Sequence, residues 1–371
     1  MAPPITPLFK VPTGDTAITV RMINSVNFGP AMLTRFVLPQ VPYVEKKRPG
    51  PCLTFLLEHP SGRKLVFDLG IRKDYQNYSP TIANYIPTTK YTIEVTKNVA
   101  DILEENDIPT SRIEAVIWSH WHWDHIGDPS TFPSSTDLIV GQGFKDAMLP
   151  GYPANPGSPI RQSDYEGRNF REITFETDGL RIGKFPAHDY FGDGSFYLLD
   201  SPGHAVGHLC GLARTTVDPP TFILMGGDIC HYPGIFRPSE YRHMPAEISP
   251  NPFTLQSGHS HSHSYSVPLC LGSAWEELQV SRGRKPIEPL FEMNFGHDIP
   301  LARRTRDQLQ ELDCDDDVFV IVAHDAGVRD QVAHFPESLN DWKKKGWAAD
   351  TRWTFLRDLE PYFRAKSVAM C

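Results

Sequence analysis

One short segment constrains this chain more than any other. Ser119-His120-Trp121-His122-Trp123-Asp124-His125-Ile126-Gly127-Asp128 packs four metal-ligand side chains into six positions, directly after an apolar run, Ala115 to Trp118, that reads as a strand. In extended chain alternate residues share a face, so His120, His122 and Asp124 converge while Trp121 and Trp123 turn into packing. His125 breaks the alternation and reaches the same site only if the chain turns, which Gly127 permits. The natural outcome is two adjacent metal positions, His120 with His122 on one and Asp124 with His125 on the other. A catalytic metal usually takes three protein ligands and leaves a place for water, so further ligands must come from elsewhere.

Later strand candidates offer them. His204 stands in Ser201-Pro-Gly-His204-Ala-Val-Gly-His208, Asp228 in Gly226-Gly-Asp228-Ile229, and His324 in Val322-Ala-His324-Asp-Ala-Gly327. Each lies where a strand runs into a loop, the usual place for functional side chains on a rigid scaffold. A glycine before His204 and before Asp228 lets the backbone approach closely. The patterning predicts strands at Ala17 to Met22, Cys52 to Leu57, Leu65 to Asp68, Leu138 to Val140, Leu180 to Phe185, Ser195 to Leu199, Leu209 to Ala213, Thr221 to Met225 and Val318 to Val322. Pro60-Ser-Gly-Arg63 joins the second and third as a hairpin, and Val95, Val99, Ile102 and Leu103 predict a helix over Val95 to Glu105.

Composition narrows the function classes. With 36 Lys+Arg against 45 Asp+Glu the 371-residue chain carries a net charge of −9, which excludes a nucleic-acid coat. No apolar run reaches the roughly 18 residues of a membrane span, and no basic-then-apolar leader opens the chain, so a soluble, cytoplasmic protein is expected. Six cysteines without C-x-x-C spacing argue for reduced thiols rather than disulfides or a cysteine zinc site. No composition break divides the chain, so one domain over 1–371 is expected, with Pro-, Gly- and Ser-rich insertions at about 150–169 and 232–300. His259, His261 and His263 in the second insertion read as a solvated Ser/His loop, and His59, His188, His243, His297 and His334 as histidines without a metal role.

Taken in order, His120-Trp-His122-Trp-Asp124-His125, Pro-Gly-His204, Gly-Gly-Asp228 and Ala-His324 resemble the ligand set of the dinuclear metallo-β-lactamase-fold hydrolases, over about Val20 to Ala326. The resemblance implies an α/β (α+β) fold, a four-layer αββα sandwich with two zinc ions at one edge. His120, His122 and His204 would hold the first, Asp124, His125 and His324 the second, and Asp228 would bridge them. Asp68, closing Leu65-Val-Phe-Asp68, would support the site from behind, as would His208. The implied reaction is attack of a shared hydroxide on a small lactone or lactam, as in the lactonase-like branch and in fungal enzymes that open benzoxazolinone-type lactams. Candidates for the leaving-group proton are Asp124, His231 and Tyr232. Lactonases of this fold carry a tyrosine three positions after the bridging aspartate, whereas here the third position is His231 and the fourth Tyr232.

Two other hydrolytic and redox readings belong to the same fold. One is a thioesterase of the hydroxyacylglutathione type, which needs a basic tail that Arg357, Arg364 and Lys366 do not make; the other is a mononuclear iron oxidoreductase. A non-enzymatic metal-binding regulator stands outside both. Tyr232, Phe236, Tyr241, Phe253, Trp275, Phe291 and Phe295 lie between Asp228 and His324, and an aromatic lid made from them would suit a small, flat, apolar substrate.

Overall fold

A computed structural model of the chain describes residues 4–5, 10–176, 179–253 and 270–369, and the run His259, His261, His263 lies outside them. The described residues form two large sheets. One has the order Phe170–Glu172, Asp137–Val140, Ala115–Ile117, Lys64–Phe67, Gly50–Glu58, Thr19–Gly29, Thr92–Val95. The other has the order Arg181–Ile182, Phe185–Asp189, Phe196–Asp200, Leu209–Val217, Pro220–Met225, Val318–Ile321.

The period of two along each strand divides the apolar residues among three cores. Leu65, Phe67, Ala115 and Ile117 of the first sheet meet Phe196, Leu198, Ile223, Met225 and Ile321 of the second in a shared central core. The intervening Val66 and Val116 face outward onto Ile82 and Ile86 of the helix Pro80–Thr89 and Val99 and Leu103 of the helix Val99–Glu104. On the far side, Tyr197, Leu199, Leu212, Leu224 and Val320 pack against Leu309 and Leu312 of the helix Ile299–Asp313. Helices outside, two sheets inside: this is the four-layer αββα arrangement. Each fully buried side chain of this kind contributes about 1.5–3 kcal/mol over its exposed state.

Strand direction decides where the site can be. Lys64–Phe67 and Ala115–Ile117 pair in parallel, as do Pro220–Met225 and Val318–Ile321. Phe196–Asp200 and Pro220–Met225 flank Leu209–Val217, each antiparallel to it, so they too share a direction. Asp68, His120, His204, Asp228 and His324 all follow the C-terminal ends of these strands.

Several elements differ from the sequence expectation. Leu180 to Phe185 is not one strand but a hairpin, Arg181–Ile182 pairing back on Phe185–Asp189, because Gly183 turns the chain at φ +55°. The helix expected from Val95 starts only at Val99, where the Asn98 N–H donates to the Asp101 carboxylate at 2.9 Å; the residues before it form the strand Thr92–Val95. The first strand runs on to Gly29. The segment after Asp228 does not open as a surface loop, since residues 229–239 are buried throughout. The segment over 150–169 holds the short helix Gln162–Tyr165 and tucks Ser158, Ile160 and Asp164 inside. No helix among the described residues is long and apolar enough to cross a membrane.

Candidate metal centre

The strand Ala115–Ile117 ends before the histidine motif, and a helical turn, Trp123–Ile126, begins inside it. The motif is therefore not extended to Asp124 as its alternation suggested. Leu69 N–H donates to the His125 carbonyl at 2.8 Å and Gly127 N–H to the Gly70 carbonyl at 2.9 Å, pinning the turn to the loop after Asp68. Gly127 (φ +48°) ends the turn where a Cβ would meet Leu69. The His204 loop depends on another glycine: a Cβ on Gly203 would lie 2.2 Å from the Ala302 nitrogen, so only glycine lets the helix Ile299–Asp313 pack there.

All seven expected ligand positions meet. His120, His122, His204 and Asp228 form one group and Asp124, His125, Asp228 and His324 another, with donor atoms within 4.8 Å of one another in each. In the first, His120 Nε2, His122 Nδ1 and His204 Nε2 stand 2.9, 2.9 and 3.1 Å apart. Three ring nitrogens at mutual hydrogen-bond distance, those of His120 and His204 buried, cannot all be satisfied by each other's protons, whereas one cation satisfies all three. In the second group His324 Nε2 and His125 Nε2 lie 3.0 and 3.2 Å from Asp228 Oδ1. That buried oxygen is hydrogen-bonded by neither. The donor set, nitrogen and carboxylate oxygen with Asp228 common to both groups, fits two divalent ions.

The far nitrogens are fixed from behind, which sets which nitrogen faces the site. His125 Nδ1 lies 2.8 Å from Asp68 Oδ2, and His324 Nδ1 lies 2.8 Å from the Pro51 carbonyl. Asp68, in the left-handed region at φ +62°, also accepts from Ser119 N–H at 2.6 Å and the Ser119 hydroxyl at 2.7 Å. His208 Nε2 accepts the Asp228 N–H at 3.0 Å, and its Nδ1 sits 2.8 Å from the Ser201 hydroxyl, so it orients the shared aspartate through the backbone.

In the first donor group the electrostatics agrees with a cation site. Burial, then the neighbouring imidazoles, hold His120 well below its usual pKa, and burial takes His122 down to about 4 and lowers His204 strongly. Neutral imidazole is the form that binds metal. Burial would raise Asp228, but His324, His125 and His231 hold it well below the usual carboxylate range. Burial would lower His125, and Cys52, Asp228 and Asp68 together drive it the other way.

The donors open into a cavity of about 680 Å³. Its aromatic wall is Phe28, Phe36, Tyr85, Tyr91, Trp121, Trp123 and Phe295. Of the aromatics expected to make a lid, only Phe295 is there; Phe236, Trp275 and Phe291 are fully buried core residues. Trp121 and Trp123, expected in packing, do pack against the outer core and line the cavity as well. His231 is in the wall, buried, with Nε2 3.2 Å from Asp228 Oδ2. Tyr232 is not: its hydroxyl donates to the Phe355 carbonyl at 2.7 Å and its ring packs on Phe291 and Phe355. Arg35 and Lys47, which no motif marks, also line the cavity; Lys47 donates to the His231 carbonyl at 3.3 Å, and burial lowers its pKa. Of the residues weighed as a basic tail, Arg357 is buried on Asp330 and Arg364 pairs with Glu360.

Residues 48–214 match the family model of the metallo-beta-lactamase superfamily. The chain is 41% identical to the gamma-lactamase FDB1 of Fusarium pseudograminearum over 96% of its own length and 86% of that protein's. It is 44% identical to the metallo-hydrolase mfmC of Annulohypoxylon moriforme, covering 84% of this chain and 80% of that one. A solved N-acyl homoserine lactone hydrolase, with the product N-hexanoyl-L-homoserine at its catalytic metal center, shares the fold at a TM-score of 0.56 and 16% identity, over 88% of this chain and 99% of that one. With likeness of this extent to named hydrolases, and with its histidines and aspartates gathered at one sheet edge, the chain belongs to the metallo-beta-lactamase superfamily as a metal-dependent hydrolase.

Proposed function

We propose that the chain is a dinuclear zinc hydrolase that opens a small cyclic ester or amide. His120, His122, His204 and Asp228 hold one ion, and Asp124, His125, His324 and Asp228 the other. The observation that carries this reading is the sharing of Asp228 by two donor groups at the floor of an aromatic cavity. Ions held by these residues would lower the pKa of a coordinated water towards 7 and would polarise a substrate carbonyl. The chain's own residues do the rest. Asp68 and the Pro51 carbonyl orient the imidazoles, His208 orients Asp228, and the aromatic wall excludes water and favours a flat ring. His231 stands in the cavity wall with Nε2 3.2 Å from the shared carboxylate and is the group best situated to contact a leaving group. No serine or cysteine nucleophile is needed.

The names of the similar proteins, gamma-lactamase and lactone hydrolase, support the cyclic amide and ester classes. Free Cys52, Cys210, Cys230, Cys270 and Cys314 suit a reducing compartment such as the cytoplasm. The deciding experiment measures metal content and turnover of aryl lactones, γ-lactams and thioesters on one sample. About two zinc per chain, with lactone or lactam turnover lost on chelation and regained with zinc, is expected. A single equivalent of iron, or thioester turnover alone, overturns the reading.

A further inference from the structure

This inference rests on the ring-opening reading and names the ring. Arg35 stands in the wall of the cavity that holds the metal donors. Its guanidinium carbon lies 5.2 Å from the Phe295 ring centroid, 5.7 Å from that of Phe36 and 5.9 Å from that of Tyr85, so aromatic surfaces flank the cation. Its Nη2 donates to the Tyr85 hydroxyl. Burial pulls its pKa down, but the phenols of Tyr85 and Tyr91 outweigh burial. No carboxylate and no backbone carbonyl is bonded to its guanidinium among the described residues, whereas Arg72 and Arg237 close on Asp128 and Asp313 and Arg168 and Arg214 donate to backbone carbonyls.

An exposed arginine without an acidic partner is ordinarily just hydrated. Arg35 is instead half-buried and bonded to the Tyr85 hydroxyl inside an aromatic chamber, where a bound anion would replace the hydration that burial removes. Its distance from the chemistry is also defined. Phe295 contacts Arg35 on one side and lies 5.2 Å from the His231 ring and 5.9 Å from the His204 ring on the other. Phe28 likewise lies 5.9 Å from Tyr91 and 5.4 Å from His324. One aromatic ring spans from the metal donors to the Arg35 group by either route.

The geometry points to Arg35, with Tyr85 and Tyr91, as a subsite for an anionic oxygen substituent. The substrate is therefore an aryl-fused cyclic ester or amide with its scissile carbonyl at the Asp228 donors and a carboxylate or phenolate on the remote edge of the ring. Lys47 does not compete for that group, because its ammonium is turned to the His231 carbonyl.

The test compares dihydrocoumarin with its analogue carrying a carboxylate on the benzo ring para to the lactone oxygen, using zinc-loaded protein of measured metal content. Wild type is expected to favour the carboxylated ring by about tenfold or more in kcat/KM, mostly through KM, the size expected of a charge-assisted hydrogen bond. Arg35→Met collapses that ratio and Arg35→Lys keeps part of it. Because the ratio is taken on one sample, loss of folded or metal-loaded protein cancels. An unchanged ratio in Arg35→Met, or no preference in wild type, overturns the subsite. If wild type opens neither lactone, the ring-opening reading fails by itself. Calorimetric binding of the two compounds then decides the subsite by the same ratio: a preference for the carboxylate that Arg35→Met removes supports it, and equal affinity overturns it.

Discussion

At the scale of single residues, the site depends as much on what stands behind the donors as on the donors. Asp68 touches no reacting group, yet it holds the His125 ring and the Ser119 backbone. Asp68→Ala is expected to weaken metal binding by about 10–100-fold, read by competition with a chromogenic chelator, while the fold persists by circular dichroism. Unaltered affinity would mean that the turn at Trp123–Ile126 alone orients His125. Tyr232 gives the opposite expectation, since its hydroxyl serves the Phe355 carbonyl rather than the cavity. Tyr232→Phe should lower stability by about 1–2 kcal/mol in urea unfolding and leave kcat close to wild type. A loss of turnover without a loss of stability would return Tyr232 to the chemistry.

At the scale of elements, strand ends deliver the ligands and also store a pH liability. Asp200 closes the strand Phe196–Asp200 that feeds the His204 loop, and burial alone pushes its carboxyl up to about 6. A folded-state pKa above the unfolded one means the fold binds that proton more tightly. The associated stability is whole below the unfolded pKa near 4 and is lost as pH rises through about 6. Asp200→Asn should therefore stabilise the protein by up to about 2–3 kcal/mol near pH 8, with the gain vanishing near pH 4. Thermal unfolding at the two pH values checks it, and an equal effect at both would refute burial as the cause. The hairpin at Gly183 shows why an apolar run is ambiguous: Leu180 to Phe185 has a strand's composition, and a left-handed glycine folds it in two.

At the scale of the whole molecule, the candidate metal donors come from both sheets, because His120, His122, Asp124 and His125 follow the first while His204, Asp228 and His324 follow the second. Ions that bind only the folded state stabilise it by mass action. Exhaustive chelation should lower Tm by roughly 5–10 °C as well as abolish turnover, with zinc restoring both. A Tm indifferent to chelation would separate metal binding from the cohesion of the sandwich.

The sequence by itself brought out the candidate donors, and its resemblance to a known family implied the layers. The donors sit in short motifs at strand ends, and a period of two sorts each strand's apolar residues between inner and outer cores, so His120 to His125, His204, Asp228 and His324 were legible without coordinates. The cavity was not. Its wall gathers Phe28, Arg35, Phe36, Tyr85, Tyr91 and Phe295 from segments distant in the chain, none carrying a local pattern that separates a lining aromatic from a core one. Trp275 and Phe291 look the same in sequence as Phe295, and only the way their segments cross against the sandwich buries the first two and leaves the third in the cavity wall beside the donors. Local periodicity is a property of neighbours along the chain; enclosure is a property of neighbours in space.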